Sequence, residues 1–135
     1  MEKYAEILNE RFGKDSLMAL ATVDADGIPW VRTINAIFHE DSFYTITYAL
    51  SNKMRHIKNN SSVALSGEWF SGHALGENLG HVKLEKNKEI ADRLRAAFAS
   101  WYDNGHVNED DPNTVVLKMK LTDGTLFRNG AKYEF

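Results

Sequence analysis

The sequence predicts a mainly β domain, a small antiparallel barrel with flanking helices. Short runs rich in aromatic and β-branched residues recur at roughly 8–12-residue spacing, bounded by Asp, Gly, Asn and Ser. A single long helical pattern interrupts them, and hairpin signals such as Asn129-Gly130 join neighbouring runs. Of the 135 residues, 43% are apolar and 26% charged, a globular mix with enough apolar content for a core. Without cysteine, that core forms without disulfides or thiolate metal sites. No repeat, linker or low-complexity stretch divides the chain, so residues 1–135 read as a single domain.

Residues 2–13 place Tyr4, Ile7, Leu8 and Phe12 at helical spacing and stop at Gly13. Residues 17–23 form an apolar run that ends in the turn signal Asp24-Ala25-Asp26-Gly27. Residues 28–38 and 43–49 are the arms of a hairpin around residues 39–42, with Pro29 near the start, where a missing amide donor does least harm. Ser51 opens a short helix as its N-cap, with Met54 and Ile57 three apart. Residues 62–69 and 70–82 read as strands, the second bent or bulged at Gly72, Gly76 and Gly80. The longest helix is expected over 85–103, with Ile90, Leu94, Ala97, Phe98 and Trp101 on one face. After a polar loop come strands 114–121, 125–128 and 131–135, separated by turns at Thr122-Asp123-Gly124 and Asn129-Gly130.

The hairpin and the helix after it carry the chemistry. With residues 39–42 as the loop, Phe38 pairs with Phe43, Arg32 lies opposite Ala49, and Ile34 lies opposite Thr47. Side chains alternate faces, so Arg32, Thr47 and Ala49 share one face, two residues from the cap of the next helix. The Arg32 guanidinium, the Thr47 hydroxyl, the amides of residues 51–53 and the Lys53 ammonium then converge. Helix N-termini, arginine and lysine together suit a phosphate. The alternative is a solvated Arg32 and an ordinary exposed Lys53. A cation in a first helical turn opposes the dipole unless an anion compensates it.

The run LATVDADGIPWVRTINAIF, followed by FYTITYALSNKMRHIKNNSSVAL, resembles the flavin-binding half of the pyridoxamine 5′-phosphate oxidase-like family, in its short branch of general stress and nitroimidazole-resistance-like proteins. The shared pattern is D-x-x-G-x-P, an Arg-bearing strand, a Thr-ending strand, then Ser-x-Lys into a helix and an Asn-rich turn, across roughly residues 17–69. The resemblance implies a split β-barrel homodimer with FMN at the dimer interface. By motif position Arg32, Ser51, Asn52 and Lys53 would hold the flavin phosphate. Thr33, Ile34 and Asn35 would lie along the ribityl chain and ring, largely through backbone, and Ile46 and Thr47 would complete the adjoining strand. Asn52 stands where a second basic residue is commoner. The ending LFRNGAKYEF lacks the Arg-x-His pattern of the true oxidase, which points away from oxidation of pyridoxamine phosphate. Two functions are expected from the resemblance. One is an FMN-dependent oxidoreductase of a small molecule with a nicotinamide or similar donor. The other is a flavin, deazaflavin or haem binding protein without turnover. A cofactor-free structural dimer is the blandest reading.

Other features argue for less. A net charge of −3 offers no basic footprint for nucleic acid. Neither a leader pattern nor a membrane-length apolar run is present, so a cytoplasmic, non-membrane protein is expected. His73 and His81 fall on one face of an expected strand, but eight residues at ~3.3 Å each separate them by roughly 27 Å, too far to share a metal. No metal site is expected. Trp101 reads as core, Trp30 has no clear role, and Trp69 at a strand end is the aromatic expected to reach the ring or the dimer partner.

Overall fold

The computed structural model describes residues 2–135. Helix α1 (Lys3–Phe12) precedes strands β1 (Ser16–Val23), β2 (Pro29–His39) and β3 (Ser42–Tyr48) and helix α2 (Asn52–Asn59). Strands β4 (Ser62–Gly67) and β5 (Phe70–His81) follow, then a 3₁₀ turn (Glu85–Asn87), helix α3 (Lys88–Ala97) and strands β6 (Thr114–Arg128) and β7 (Ala131–Glu134). The antiparallel sheet runs β3-β2-β1-β4-β5-β6-β7, and pairing of β3 with β6 closes its first six strands into a barrel. This is the mainly β barrel that the strand spacing predicts. No helix among the described residues is long and apolar enough to cross a membrane.

Period-two alternation sorts the side chains into two cores. Ile34, Ala36 and Phe38 of β2 meet Phe43 of β3 and Leu20 of β1 inside the barrel. Helix α1 adds Ile7, Leu8 and Phe12 to that interior, and α2 adds Met54 and Ile57. Ile37 and Tyr44, one residue out of phase, join Leu94 and Phe98 under α3 instead. Burial of each Leu, Ile, Met or Phe among them contributes roughly 1.5–3 kcal/mol.

Phe38 pairs with Phe43, as the four-residue loop requires, but the β2–β3 ladder runs only from Ile37↔Tyr44 to His39↔Ser42. From there β3 pairs with β6 along its whole length, Ser42↔Lys120 to Tyr48↔Thr114. Residues 29–36 of β2 keep a ladder to β1 alone, so Arg32 faces Leu20 and not Ala49. The expected register fails because closing a barrel requires β3 to coil away from β2 toward β6. The outcome is a split between β2 and β3, bridged where the Thr45 hydroxyl donates to the Asn35 carbonyl at 2.6 Å.

Three other expectations are corrected. Helix 85–103 is a 3₁₀ turn plus a helix that stops at Ala97, after which the Trp101 and Tyr102 N–H groups both return to the Phe98 carbonyl. Trp101 stacks on Phe98 at 4.8 Å and donates Nε1 to Asp15 at 2.8 Å, while Tyr102 donates its hydroxyl to Glu109. These distant partners wind the segment into turns, overriding its helical periodicity. The expected turn at Thr122-Asp123-Gly124 is continuous strand with a register shift opposite His73/Ala74. Gly124 pairs with Gly72, and a Cβ on it would lie 2.7 Å from the Phe135 ring, so close packing accounts for this glycine. A second shift, between Asn78 and His81, also breaks the shared face expected for His73 and His81. His73 pairs with Asp123, and His81 Nε2 lies 3.1 Å from the Asp111 carbonyl oxygen.

Candidate functional site

The site begins at the β1–β2 turn. Asp24 Oδ1 accepts the N–H groups of Asp26 and Ile28 at 2.9 Å each, and Gly27 takes φ 79° to complete the turn. Asp24 Oδ2 accepts Trp30 Nε1 at 2.8 Å, and that bond is the main reason the carboxyl is held below its usual range. The D-x-x-G-x-P pattern therefore sets the turn and fixes an indole beside it.

Arg32 follows two residues on, on the barrel-facing side of β2 with Ile34. Its Nη1 donates to Thr22 Oγ1 at 2.7 Å and to the Leu20 carbonyl at 3.2 Å. Thr22 is fully buried, and its hydroxyl lies 2.8 Å from His56 Nδ1 of α2, tying strand to helix. Nη1 is thereby anchored, while Nη2, Nε and the positive charge have no hydrogen-bond or carboxylate partner among the described residues. Burial lowers the pKa of the guanidinium, which stays charged.

Lys53 sits half-buried in the first turn of α2, also without a hydrogen bond or ion pair among the described residues. Burial depresses its pKa first, and the adjacent Arg32 charge depresses it further. Ser51 has N-cap backbone geometry (φ −71°, ψ 162°), but its hydroxyl makes no cap bond. Its Oγ is buried with no partner among the described residues. The first helical amides are free as well, since Arg55 N–H is the first to bond back, to the Ser51 carbonyl. Two uncompensated cations, an orphaned hydroxyl and a helix N-terminus fit a phosphate, which would satisfy them together.

The remaining predicted residues fall into place unevenly. Asn52 is exposed and its side-chain oxygen accepts from Arg55, so it adds no charge to the cradle. Thr33 is exposed on the outer face, Ile34 is core, and Asn35 donates to Asp15 at 2.9 Å. Their side chains do not converge on Arg32, although their backbone lines the split. Thr47 shares the barrel-facing side of β3 with Phe43 and Thr45, whereas Ile46 packs under α3. Trp69 lies elsewhere, in the β4–β5 turn with φ 55°, where a cavity of about 480 Å³ is lined by Arg11, Phe127, Arg128 and the Asn129-Gly130 turn. Sequence reasoning missed Thr22, His56 and Trp30. Thr22 had a legible signal, a hydroxyl in phase with Met18 and Leu20 on an inward apolar face. His56 lies one helical turn from Lys53, and Trp30 lies two strand residues from Arg32.

A closed six-stranded antiparallel barrel, split at β2–β3, with two cations beside a helix N-terminus defines the class: a split-barrel protein. Residues 2–127 match the pyridoxamine 5′-phosphate oxidase family, and the chain belongs to it. Among solved structures, the General Stress Protein 26 of Bacillus anthracis superposes with TM-score 0.70 at 16% identity, over 99% of this chain and 100% of that one. A NimC/NimA family protein of Clostridium acetobutylicum gives 0.66 at 18%, over 100% and 95%. HutZ, the haem storage protein of Vibrio cholerae, gives 0.67 at 13%, over 90% and 89%. At these identities the likeness is one of fold. A search of curated proteins finds no match.

Proposed function

We propose that the chain binds FMN as a homodimer and acts as an oxidoreductase on a small molecule, with a nicotinamide or similar electron donor. The observation that carries the reading is the meeting of Arg32 and Lys53, two charges with no counter-ion among the described residues, beside the orphaned Ser51 hydroxyl. Arg32, Lys53, Ser51 and the first α2 amides would hold the flavin phosphate. The open edge of β2 supplies backbone donors and acceptors for the ribityl chain and ring along Thr33, Ile34 and Asn35. Bound FMN would supply hydride or electron transfer, and the chain would hold and orient it. Dimerisation is supported by the outer sheet face, where Leu17 and Val31 stand 69% and 70% exposed beside Ala19, Ala21 and Ala64. A carrier of flavin, deazaflavin or haem without turnover is the second reading. It is favoured by the side chains along the split (Thr33, Ile34, Asn35, Thr45 and Thr47), none of which is an acid or base.

The test is to titrate FMN and riboflavin into wild type and into Arg32→Ala/Lys53→Ala. The double variant should lose FMN far more than riboflavin, because only FMN presents a phosphate. Equal losses would place the site elsewhere. Multiple-turnover bleaching and recovery of the flavin band with a nicotinamide donor and an acceptor identifies the enzyme, and a stoichiometric reaction alone identifies the carrier.

A further inference from the structure

We infer that Trp30 is a base-stacking wall beside the phosphate cradle, so that the site also takes a flavin whose phosphate continues into an aromatic base, the dinucleotide FAD. This rests on the cofactor reading above. Trp30 is 52% exposed and belongs to neither hydrophobic core. Even so, its ring does not swing freely. Nε1 is bonded to Asp24 Oδ2 at 2.8 Å, and the other oxygen of that carboxylate is held by two backbone N–H groups. The His56 ring lies 6.2 Å from the indole, tilted by 43°, and is itself tied to Thr22. An aromatic surface is thus fixed by a polar scaffold while remaining open to solvent, the arrangement of a preorganised contact.

Its place relative to the cradle sets the ligand. Trp30 and Arg32 are two residues apart on one strand, so they share a face and stand about 7 Å apart. That matches the reach from a nucleotide's phosphate to its base. Arg32 Nη1 also lies 3.4 Å from the Trp30 carbonyl, so guanidinium and indole are anchored to the same stretch of backbone. The two positive charges of Arg32 and Lys53 match the phosphate of FMN and equally the two single charges of a pyrophosphate. Charge therefore does not separate FMN from FAD. Trp30 does, because only FAD carries a base to place on it.

The experiment uses the full chain freed of flavin and follows binding by quenching of flavin fluorescence, with FMN and FAD as probes. Trp30→Ala should weaken FAD about tenfold, the scale of one base–aromatic stack, and change FMN less than twofold. Trp30→Phe should keep FAD within about threefold of wild type, since a smaller ring still stacks. Wild type that binds FMN but refuses FAD overturns this inference and leaves the cofactor reading standing. So does a Trp30→Ala variant in which both flavins weaken equally or neither does. If wild type binds neither flavin, the cofactor reading falls and this inference falls with it.

Discussion

Replacing Lys53 with methionine should stabilise the ligand-free protein and at the same time weaken its hold on FMN. Lys53 is half-buried, lacks a counter-ion among the described residues, and feels the Arg32 charge. Like unit charges ~6 Å apart repel by roughly 1–3 kcal/mol between the dielectric of water and that of a protein surface. Solvent screening at a half-exposed ammonium favours the lower end, about 1 kcal/mol. Methionine keeps the unbranched stem and removes both the repulsion and the desolvation of the charge. For a domain of this size about 1 kcal/mol raises the melting temperature by ~4 °C. With FMN present the sign reverses. A charge-assisted contact to the phosphate contributes roughly 1.5–3 kcal/mol, so affinity should fall between ~10-fold and ~150-fold. Riboflavin affinity should hardly change. Thermal melts with and without FMN, beside titrations of both ligands, read all of these quantities. A variant that melts several degrees lower without ligand and binds FMN as wild type does would refute the reasoning, because Lys53 would then be a structural residue.

The Arg95–Glu109–Tyr102 clamp that fastens the loop after α3 should fail in acid. The Arg95 guanidinium, bonded to both Glu109 oxygens at 2.8 Å, holds that carboxyl below its ordinary value of 4.5. Its stabilising contribution is therefore complete above about pH 4.5 and is lost as pH falls through the depressed folded value. Glu109→Gln should cost about 1–2 kcal/mol at neutral pH and flatten the acid limb of the stability curve, measured by urea unfolding across pH. Gly72→Ala should cost about 1–3 kcal/mol, because its Cβ would meet the Asp123 carbonyl oxygen at 2.8 Å and the Phe70 ring at 2.9 Å. The carbonyl belongs to the paired strand β6 and yields only by breaking the ladder, so a wild-type denaturation midpoint for this variant would disprove the close approach.

The strands, the short helix after Ser51 and the split-barrel family were legible in the sequence because each rests on local periodicity, turn chemistry or the spacing of a motif. The failures share one cause. Residues 98–103 continue a helical pattern, yet Trp101 is drawn to Asp15, which lies 86 residues away along the chain. Thr122-Asp123-Gly124 carries the residues of a turn, yet Gly124 is required small by Phe135 and stays in the strand. In both segments a partner remote in sequence outweighed local propensity, and no window of neighbouring residues contains that partner.

The candidate site divides along the same line. Alternation on β2 and the first turn of α2 singled out Arg32 and Lys53 as residues for one anion, although the pairing that was to join them, Arg32 opposite Ala49, does not form. Barrel closure carries β3 away to β6, and the two cations meet instead through Thr22 and His56, a buried hydroxyl and a helix side chain that fasten Arg32 beside α2. Charge and capping residues at fixed spacing are properties of the chain as written. The direction in which a strand leaves its neighbour, and the orphaned hydroxyl and anchored indole that result, depend on the twist and closure of a sheet assembled from the whole sequence.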